Sequence, residues 1–269
     1  SPEQSGYTLR SLAQTPAVLG VTLDDLMPGP VGRRDHGARL RVTVSGGLHA
    51  ITQAQLFAGQ NAAAIRDPAG EWEVLQFEAA SLIGTGTYEL SGLLRGQLGT
   101  EAAMQAVIPA GARFVLIAAS LARIDLQLGE IGLPYSWRFG PSSRDIGSSY
   151  YAERTQAFRG IGLRPYAPVH IRAGRSAGDV SLTWVRRTRI GGDTWEPPDV
   201  PLGEESERYE IDILQGSSVK RTLQATSASA IYSAAQQVAD FGSVQTSLSV
   251  RIYQISAAYG RGSPATAVV

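Results

Sequence analysis

Residues 39–47 read RLRVTVSGG, where Leu40, Val42 and Val44 alternate with Arg41 and Thr43 before two glycines. This rhythm constrains the chain more than any other feature because it recurs. A period of two turns one face of a strand to a core and the other to water, whereas a helix needs a period of 3.6. AITQAQLFAG (50–59) continues the alternation weakly, and TYELSGLL (87–94), ARFVLIAA (112–119) and ARIDLQLG (122–129) repeat it at spacings typical of all-β domains. IRDPAGEWEVLQFEAA (65–80) predicts a hairpin, because Asp67-Pro68-Ala69-Gly70 supplies the residues that turns prefer. Helical patterning is scarce, with room for one short helix between Gln97 and Val107. The expected fold class is all-β and mostly antiparallel.

The last hundred residues repeat the pattern. VHIRA, DVSLTWVRRTRI, RYEIDILQ, VKRTLQA, AIYSAAQQ, TSLSVRIYQISAAYG and PATAVV are seven candidate strands, the number expected of an immunoglobulin-like sandwich. Leu182 and Trp184 share a face, and Trp184 is the expected central core residue. Between Leu248 and Ala257 the apolar set changes sides: Leu248, Val250 and Ile252 point one way, Tyr253, Ile255 and Ala257 the other. A β-bulge would switch the faces, or a neighbour would cover both; the bulge is the expectation. The segments LTW (182–184), YEIDI (209–213) and RIYQISAAYGRGSPATAV (251–268) resemble a fibronectin type III domain. A stiff linker by composition, Arg164-Pro165-Tyr166-Ala167-Pro168, sets the expected boundary near 165. The expected organisation is an extended lead-in over 1–39, alone or part of an upstream domain, a β-rich domain over 40–164 ending in irregular chain, and a β-sandwich over 165–269.

Composition narrows the function classes. The 24 basic residues, all arginine except Lys220, are balanced by 24 acidic ones, so the chain lacks the basic surplus of a general nucleic-acid binder. There are no cysteines, which removes disulfides and thiolate metal sites. His36, His49 and His170 lie in different segments without ligand spacing. The most apolar stretch, Phe114 to Ala122, is far short of the ~20 residues that cross a bilayer as a helix. SPEQSGYTLR has neither a basic start nor an apolar core, so no signal peptide is expected there. No cofactor is expected.

The stretch ELSGLLRGQLGTE (89–101) poses the sharpest chemical question, because glycines around a cation can cradle a phosphate. A P-loop needs GxxxxGK[ST], and Gly92-Leu-Leu-Arg-Gly96 has the wrong spacing and no lysine. The dinucleotide fingerprint also fails, and no βαβ context surrounds it. The expectation is a strand from Thr87 to Leu94, with Gly96 and Gly99 at positive φ. Asp24-Asp25 and Glu204-Glu205 are adjacent acids of the kind glycosidases use, but neighbours on a strand point apart, and both pairs sit in turn-like settings. HExxH is missing.

Charge is uneven in the second half. Arg159, Arg164, Arg172, Arg175, Arg186, Arg187 and Arg189 precede a stretch, 193–212, with eight acids against Arg208. Arg186, Arg187 and Arg189 are candidates to grip phosphate, lipopolysaccharide or an acidic partner. Local compensation by GEESERYEID is the favoured alternative. Trp195, in IGGDTWEPPD, is a candidate for sugar stacking or a partner contact, or for packing over its own loop.

Taken in order, LFAGQNAAAI (56–65), GEWEVLQFEAA (70–80), YELSGLLRGQLGTE (88–101), LRPYAPVHIRA (163–173), LTWVRRTRIGGDTWE (182–196), VPLGEESERYEIDI (200–213) and ADFGSVQ (239–245) resemble the C-terminal part of the tail-tip proteins of gene transfer agents and related siphophages. These are the host-specificity or megatron-type baseplate hub proteins, and the resemblance covers most of residues 40–269. It implies a structural, non-enzymatic component of a phage-like tail tip, acting in baseplate assembly, contact with the cell envelope and DNA delivery. The implied partners are other tail and baseplate proteins, two further copies around the tail axis, and a cell-surface glycan or outer-membrane receptor, with no sequence-specific nucleic acid. The implied location is the particle tail, assembled in the cytoplasm and extracellular after release. The glycoside-hydrolase-like barrel of longer relatives needs ~250 residues of alternating strand and helix, a pattern absent here, so no catalytic residue carries over. The competing reading is an accessory carbohydrate-binding module in which Trp137, Trp195, Tyr150 and Tyr151 stack on glycans.

Overall fold

The computed structural model describes residues 6–104, 106–192 and 200–269. The chain divides into two compact units, Ser1–Arg159 and Gly160–Val269. Strand accounts for 43% of residues and helix for 9%, and the sheets are antiparallel, so the fold class is all-β.

The first unit is built on a closed barrel. Its elements are β1 (Leu19–Thr22), β2 (Asp35–Val44), the short helix α1 (Gln53–Phe57), β3 (Ala62–Arg66), β4 (Trp72–Gly84), β5 (Thr87–Gln97) and β6 (Arg113–Leu116). The strand order is β1-β2-β5-β4-β3-β6, and β6 closes the ring by pairing with β1. Closure leaves a small barrel whose interior is filled by side chains. The alternation in β2 is the reason for its place: Leu40 and Val42 are fully buried and Arg41 and Thr43 are exposed. Ile65, Leu75, Phe77, Leu90, Leu93 and Phe114 complete the core, each contributing about 1.5–3 kcal/mol by burial. The β3–β4 hairpin turns where expected. Asp67 Oδ1 accepts from the Glu71 amide at 2.7 Å, and Gly70 supplies a φ of 92°.

Several expectations for this unit need correction. Residues 19–22, read as extended lead-in, are extended but form a strand of the barrel itself. AITQAQLFAG is partly helix. Thr52 accepts from the Gln55 amide while the Gln55 side chain accepts from the Thr52 amide, a reciprocal cap that makes five residues helical. Leu56 on this turn is fully buried, and Gln76 donates to the Leu56 and Gln60 carbonyls, so α1 covers the outside of β4. The short helix expected between Gln97 and Val107 is one 3-10 turn, Glu101–Met104. ARIDLQLG alternates but stays open, with Ile124 41% and Leu128 66% exposed, and its first six residues are irregular. The segment expected to be irregular chain instead holds a two-stranded ribbon, β7 (Pro134–Phe139) with β8 (Ala152–Ala157).

The second unit is a sandwich. Its elements are β9 (Val169–Ser176), β10 (Asp179–Val185), β11 (Tyr209–Gln215), β12 (Ser218–Ala225), β13 (Ser229–Tyr232), the helix α2 (Ala234–Phe241), β14 (Ser249–Ser256), β15 (Gly260–Arg261) and β16 (Ala265–Val268). One sheet runs β13-β10-β9; the other runs β12-β11-β14, with β15 and β16 both on β14. Val180, Leu182, Trp184 and Tyr232 of the first sheet share a core with Tyr209, Ile211, Ile213, Val250 and Ile252 of the second. Trp184 is central, meeting Tyr209 edge-on with ring centroids 5.0 Å apart.

Two further corrections fall here. AIYSAAQQ is a strand only to Tyr232; Ser233 then caps α2 with Gln236, and Gly242 ends it at a φ of 80°. The apolar switch along β14 is not a bulge. Its register with β11 is unbroken from Ser249 to Gln254, and the inward positions are Val250, Ile252, Gln254 and Ser256. Tyr253 is half-buried on the outer face because the Arg261 guanidinium lies 4.5 Å above its ring. Both faces are covered, so alternating polarity is lost while alternating direction is kept.

Candidate functional site

The glycine-rich stretch 89–101 lies on β5 and the turn after it. Gly92, Gly96 and Gly99 all take positive φ, as a strand with a kink and a tight exit requires. Arg95, the cation that would meet a phosphate, points into one end of the barrel instead. Its Nε donates to Glu73 Oε1 at 2.6 Å and its Nη2 to Glu73 Oε2 at 2.8 Å, with both side chains 0% exposed. Nη1 donates to the Met27 carbonyl at 2.9 Å, and the Gly96 amide donates to Glu73 Oε1 at 3.2 Å. Glu73 stands opposite Ile65 in the β3–β4 ladder, so the pair occupies core positions. A side chain at Gly29 would come within 2.9 Å of Asp35 Oδ2 and 3.2 Å of Arg95 Nη1, which keeps that crossing tight. The guanidinium is therefore spent on β4 and on the chain at Met27, and it ties three segments together. Sequence reasoning missed this pair. The available signal was one acid in WEVLQF and one base in SGLLRGQ, each alone in an apolar strand.

The arginine group of the sandwich is also engaged. Arg186 donates to the Pro201 carbonyl at 2.9 Å and the Val200 carbonyl at 2.6 Å. Arg189 Nε donates to Glu204 Oε1 at 2.9 Å, where the Glu204 side chain is only 4% exposed. The Arg187 guanidinium lies 5.0 Å above the Tyr166 ring. All three are half-buried, and Arg186 and Arg189 hold the chain that follows residue 199. Trp195 lies outside the described residues.

The carboxylates follow the same rule. Asp24 takes a bidentate contact from Arg41, whose hydrogen bonds hold its carboxyl below the usual range despite some burial, while Asp25 accepts from the Ala110 amide at 2.8 Å. Asp212 is 2% exposed and receives Arg261 at 2.8 and 3.1 Å and Thr222 Oγ1 at 2.6 Å. Burial pushes this carboxyl up, but the Arg261 and Thr222 hydrogen bonds outweigh it and leave it low. Asp240 is lowered by hydrogen bonds from Arg221 at 2.6 and 2.8 Å and from Tyr232 at 2.7 Å, which join α2 to β12 and β13. Burial, reinforced by Asp240, raises the Tyr232 hydroxyl in turn.

Among the described residues no three histidine or acidic side chains converge as a metal site would require. Among the described residues, surface depressions of about 370 and 360 Å³ lie one on each unit. The first is lined by one acid, Glu210, with Arg208 and small polar residues, and the second by Asp67 with Arg66 and Arg113. Neither sets two carboxylates face to face. Of the aromatics weighed for glycans, Tyr150 is 67% exposed beneath Arg144, Tyr151 is tied by its hydroxyl to the Pro141 carbonyl at 3.1 Å, and Trp137 is half-buried on β7.

A family model described as Rcc01698-like, C-terminal, matches residues 17–115. The matched span runs from just before β1 to within β6, so it coincides with the barrel and includes the lead-in strand. The family takes its name from a Rhodobacter gene associated with a gene transfer agent, and the match is consistent with a protein related to such particles. No curated protein matches the chain. Among solved structures, the extracellular region of rat CD45, domains d3–d4, aligns at 12% identity over 57% of this chain and 71% of that one. Its TM-score of 0.29 is too low to define a shared fold. Among the described residues no helix is long and apolar enough to cross a membrane.

Proposed function

We propose that this chain is a structural, non-enzymatic module of a phage-like tail tip of the gene transfer agent kind. It acts in baseplate assembly, contact with the cell envelope and DNA delivery. The observation that carries the reading is the coincidence of the family match with the whole barrel. Its working partners are other tail and baseplate proteins and two further copies around the tail axis, and its place is the tail of the released particle. The arrangement β13-β10-β9 over β12-β11-β14-β16 supports reading the second unit as fibronectin type III-like, a rigid spacer that leaves loops and edges for contacts.

The absence of bond chemistry in this proposal rests on where the charges go. Arg95, Arg189, Arg221 and Arg261 are each held by a carboxylate of their own unit, so these charged side chains serve packing. Imaging intact particles with a label fused to this region tests the placement. Label at the distal end of the tail is the expected result; a freely secreted, particle-independent protein would overturn it.

A further inference from the structure

The ribbon β7–β8 has two faces of different character. Directly opposed residues of an antiparallel pair share a face, with Cβ atoms about 4.5–5.5 Å apart. Ser136 with Thr155 and Arg138 with Glu153 therefore lie on one side, and Tyr135 with Gln156, Trp137 with Arg154 and Phe139 with Ala152 on the other. Charge on the first side is settled. Arg138 lies 3.6 Å from Glu153, with its guanidinium 5.8 Å from the Tyr7 ring and 6.0 Å from the Tyr151 ring.

The second side is not settled in this way. Trp137 is held edge-on to Phe158 at 5.4 Å and tilted to Tyr135 at 6.2 Å, and its Nε1 donates to the Gln156 carbonyl at 3.2 Å. The indole is thus fixed in place with its one donor used. Phe139 is 54% and Phe158 37% exposed, so the aromatic row remains open to solvent. Arg154, directly across from Trp137, is exposed and has no ion pair among the described residues. A preset aromatic row beside an uncommitted guanidinium serves neither core packing nor local charge balance.

We propose that this face binds an acidic polysaccharide. A pyranose ring carries an apolar face of C–H groups with a polar rim, which suits a partly exposed, immobilised indole. A uronic acid adds a carboxylate, which the planar fork of Arg154 accepts in bidentate fashion. Tyr135, Trp137 and Phe139 stand at alternate positions, ~6.8 Å apart along the strand, so the surface is a line matched to a polymer and not a pocket for one sugar. The inference gives the envelope contact of the proposed function a surface and a ligand class, and its test on the purified chain stands apart from the placement of the chain in a particle.

The test is affinity electrophoresis and calorimetry of the full chain with polygalacturonate, with neutral dextran as the matched control, at low and high salt. Binding to polygalacturonate that weakens with salt, and none to dextran, is expected. Arg154→Gln, a surface change that leaves the ribbon folded, weakens it by about tenfold, the scale of one charge-assisted contact; Arg154→Lys recovers part. Trp137→Ala abolishes binding, with Trp137→Phe as the variant that keeps an aromatic packed if alanine unfolds the ribbon. No binding of polygalacturonate by the folded chain, equal binding by Arg154→Gln, or equal binding of dextran would each overturn the proposal.

Discussion

The barrel and the sandwich solve one problem, burying one face of antiparallel strands, and differ in that, among the described residues, the barrel alone sets a fully buried ion pair among its core positions. In the barrel the Arg95–Glu73 pair sits among the core positions, and both side chains are 0% exposed. In the sandwich the pairs lie outside the core. Arg261 reaches Asp212 across the outer face of β11 while remaining 41% exposed, and Arg221 joins Asp240 of α2 while remaining 33% exposed. A buried pair adds little net stability because desolvation offsets the attraction, but losing one partner is costly. At these pairs, the barrel uses charge to fix which strands and which crossing chain meet at its end, whereas the sandwich uses it to attach α2 and the β15 arm to a core that is already specified.

The comparison can be broken most forcefully at Glu73. Glu73→Ala leaves a buried guanidinium without its anion, at an expected cost of about 3–5 kcal/mol. Hydrogen exchange should show β3–β5 opening while β9–β16 keep their protection; equal loss in both units would remove the distinction. Asp212→Ala should cost less, about 1.5–3 kcal/mol for hydrogen bonds to a charged group, and nearer the lower figure because Arg261 stays partly in water. Denaturant titration of both variants checks the order.

Acid sharpens the contrast further. The Asp212 and Asp240 carboxyls are low in the folded sandwich. The stability they contribute is therefore complete above the unfolded aspartate value of about 3.9 and is lost as pH falls through their folded values. Asp212→Asn should flatten that acid limb in a pH series of melting curves. The smallest effects come from the reciprocal caps of α1 and α2. Thr52→Ala and Ser233→Ala should each cost about 1 kcal/mol, and a much larger loss at Thr52 would mean that α1 does more than cover β4.

Much of the architecture was legible because a period of two is a direct imprint of a half-buried strand. Leu40, Val42 and Val44 set β2, the Asp67–Gly70 turn set a hairpin, and Trp184 announced the second core. The compensation of Arg189 by Glu204 was also readable, since opposite charges lay close in sequence. What failed did so for local reasons. Five helical residues at α1 are too few for periodicity, so only Thr52 and Gln55 mark them. Along β14 the buried Gln254 and the covered Tyr253 invert the usual polarity, because Arg261 shields the outer face. The Arg95–Glu73 contact joins residues on adjacent strands, and nothing in either strand alone reveals the partner. Trp137 was visible as an aromatic, but the strand that places Arg154 opposite it was not.

The central claim of the proposed function is that this polypeptide serves by shape, with its paired charges placed to hold that shape. The most direct measurement compares particle-mediated DNA transfer by cells making Glu73→Ala with cells making the double variant Glu73→Met, Arg95→Met, an apolar pair of similar volume that can be neutral for stability. The account predicts that transfer collapses with the single substitution and returns with the double one. A double variant that is folded and incorporated into particles yet still fails to transfer DNA would contradict it.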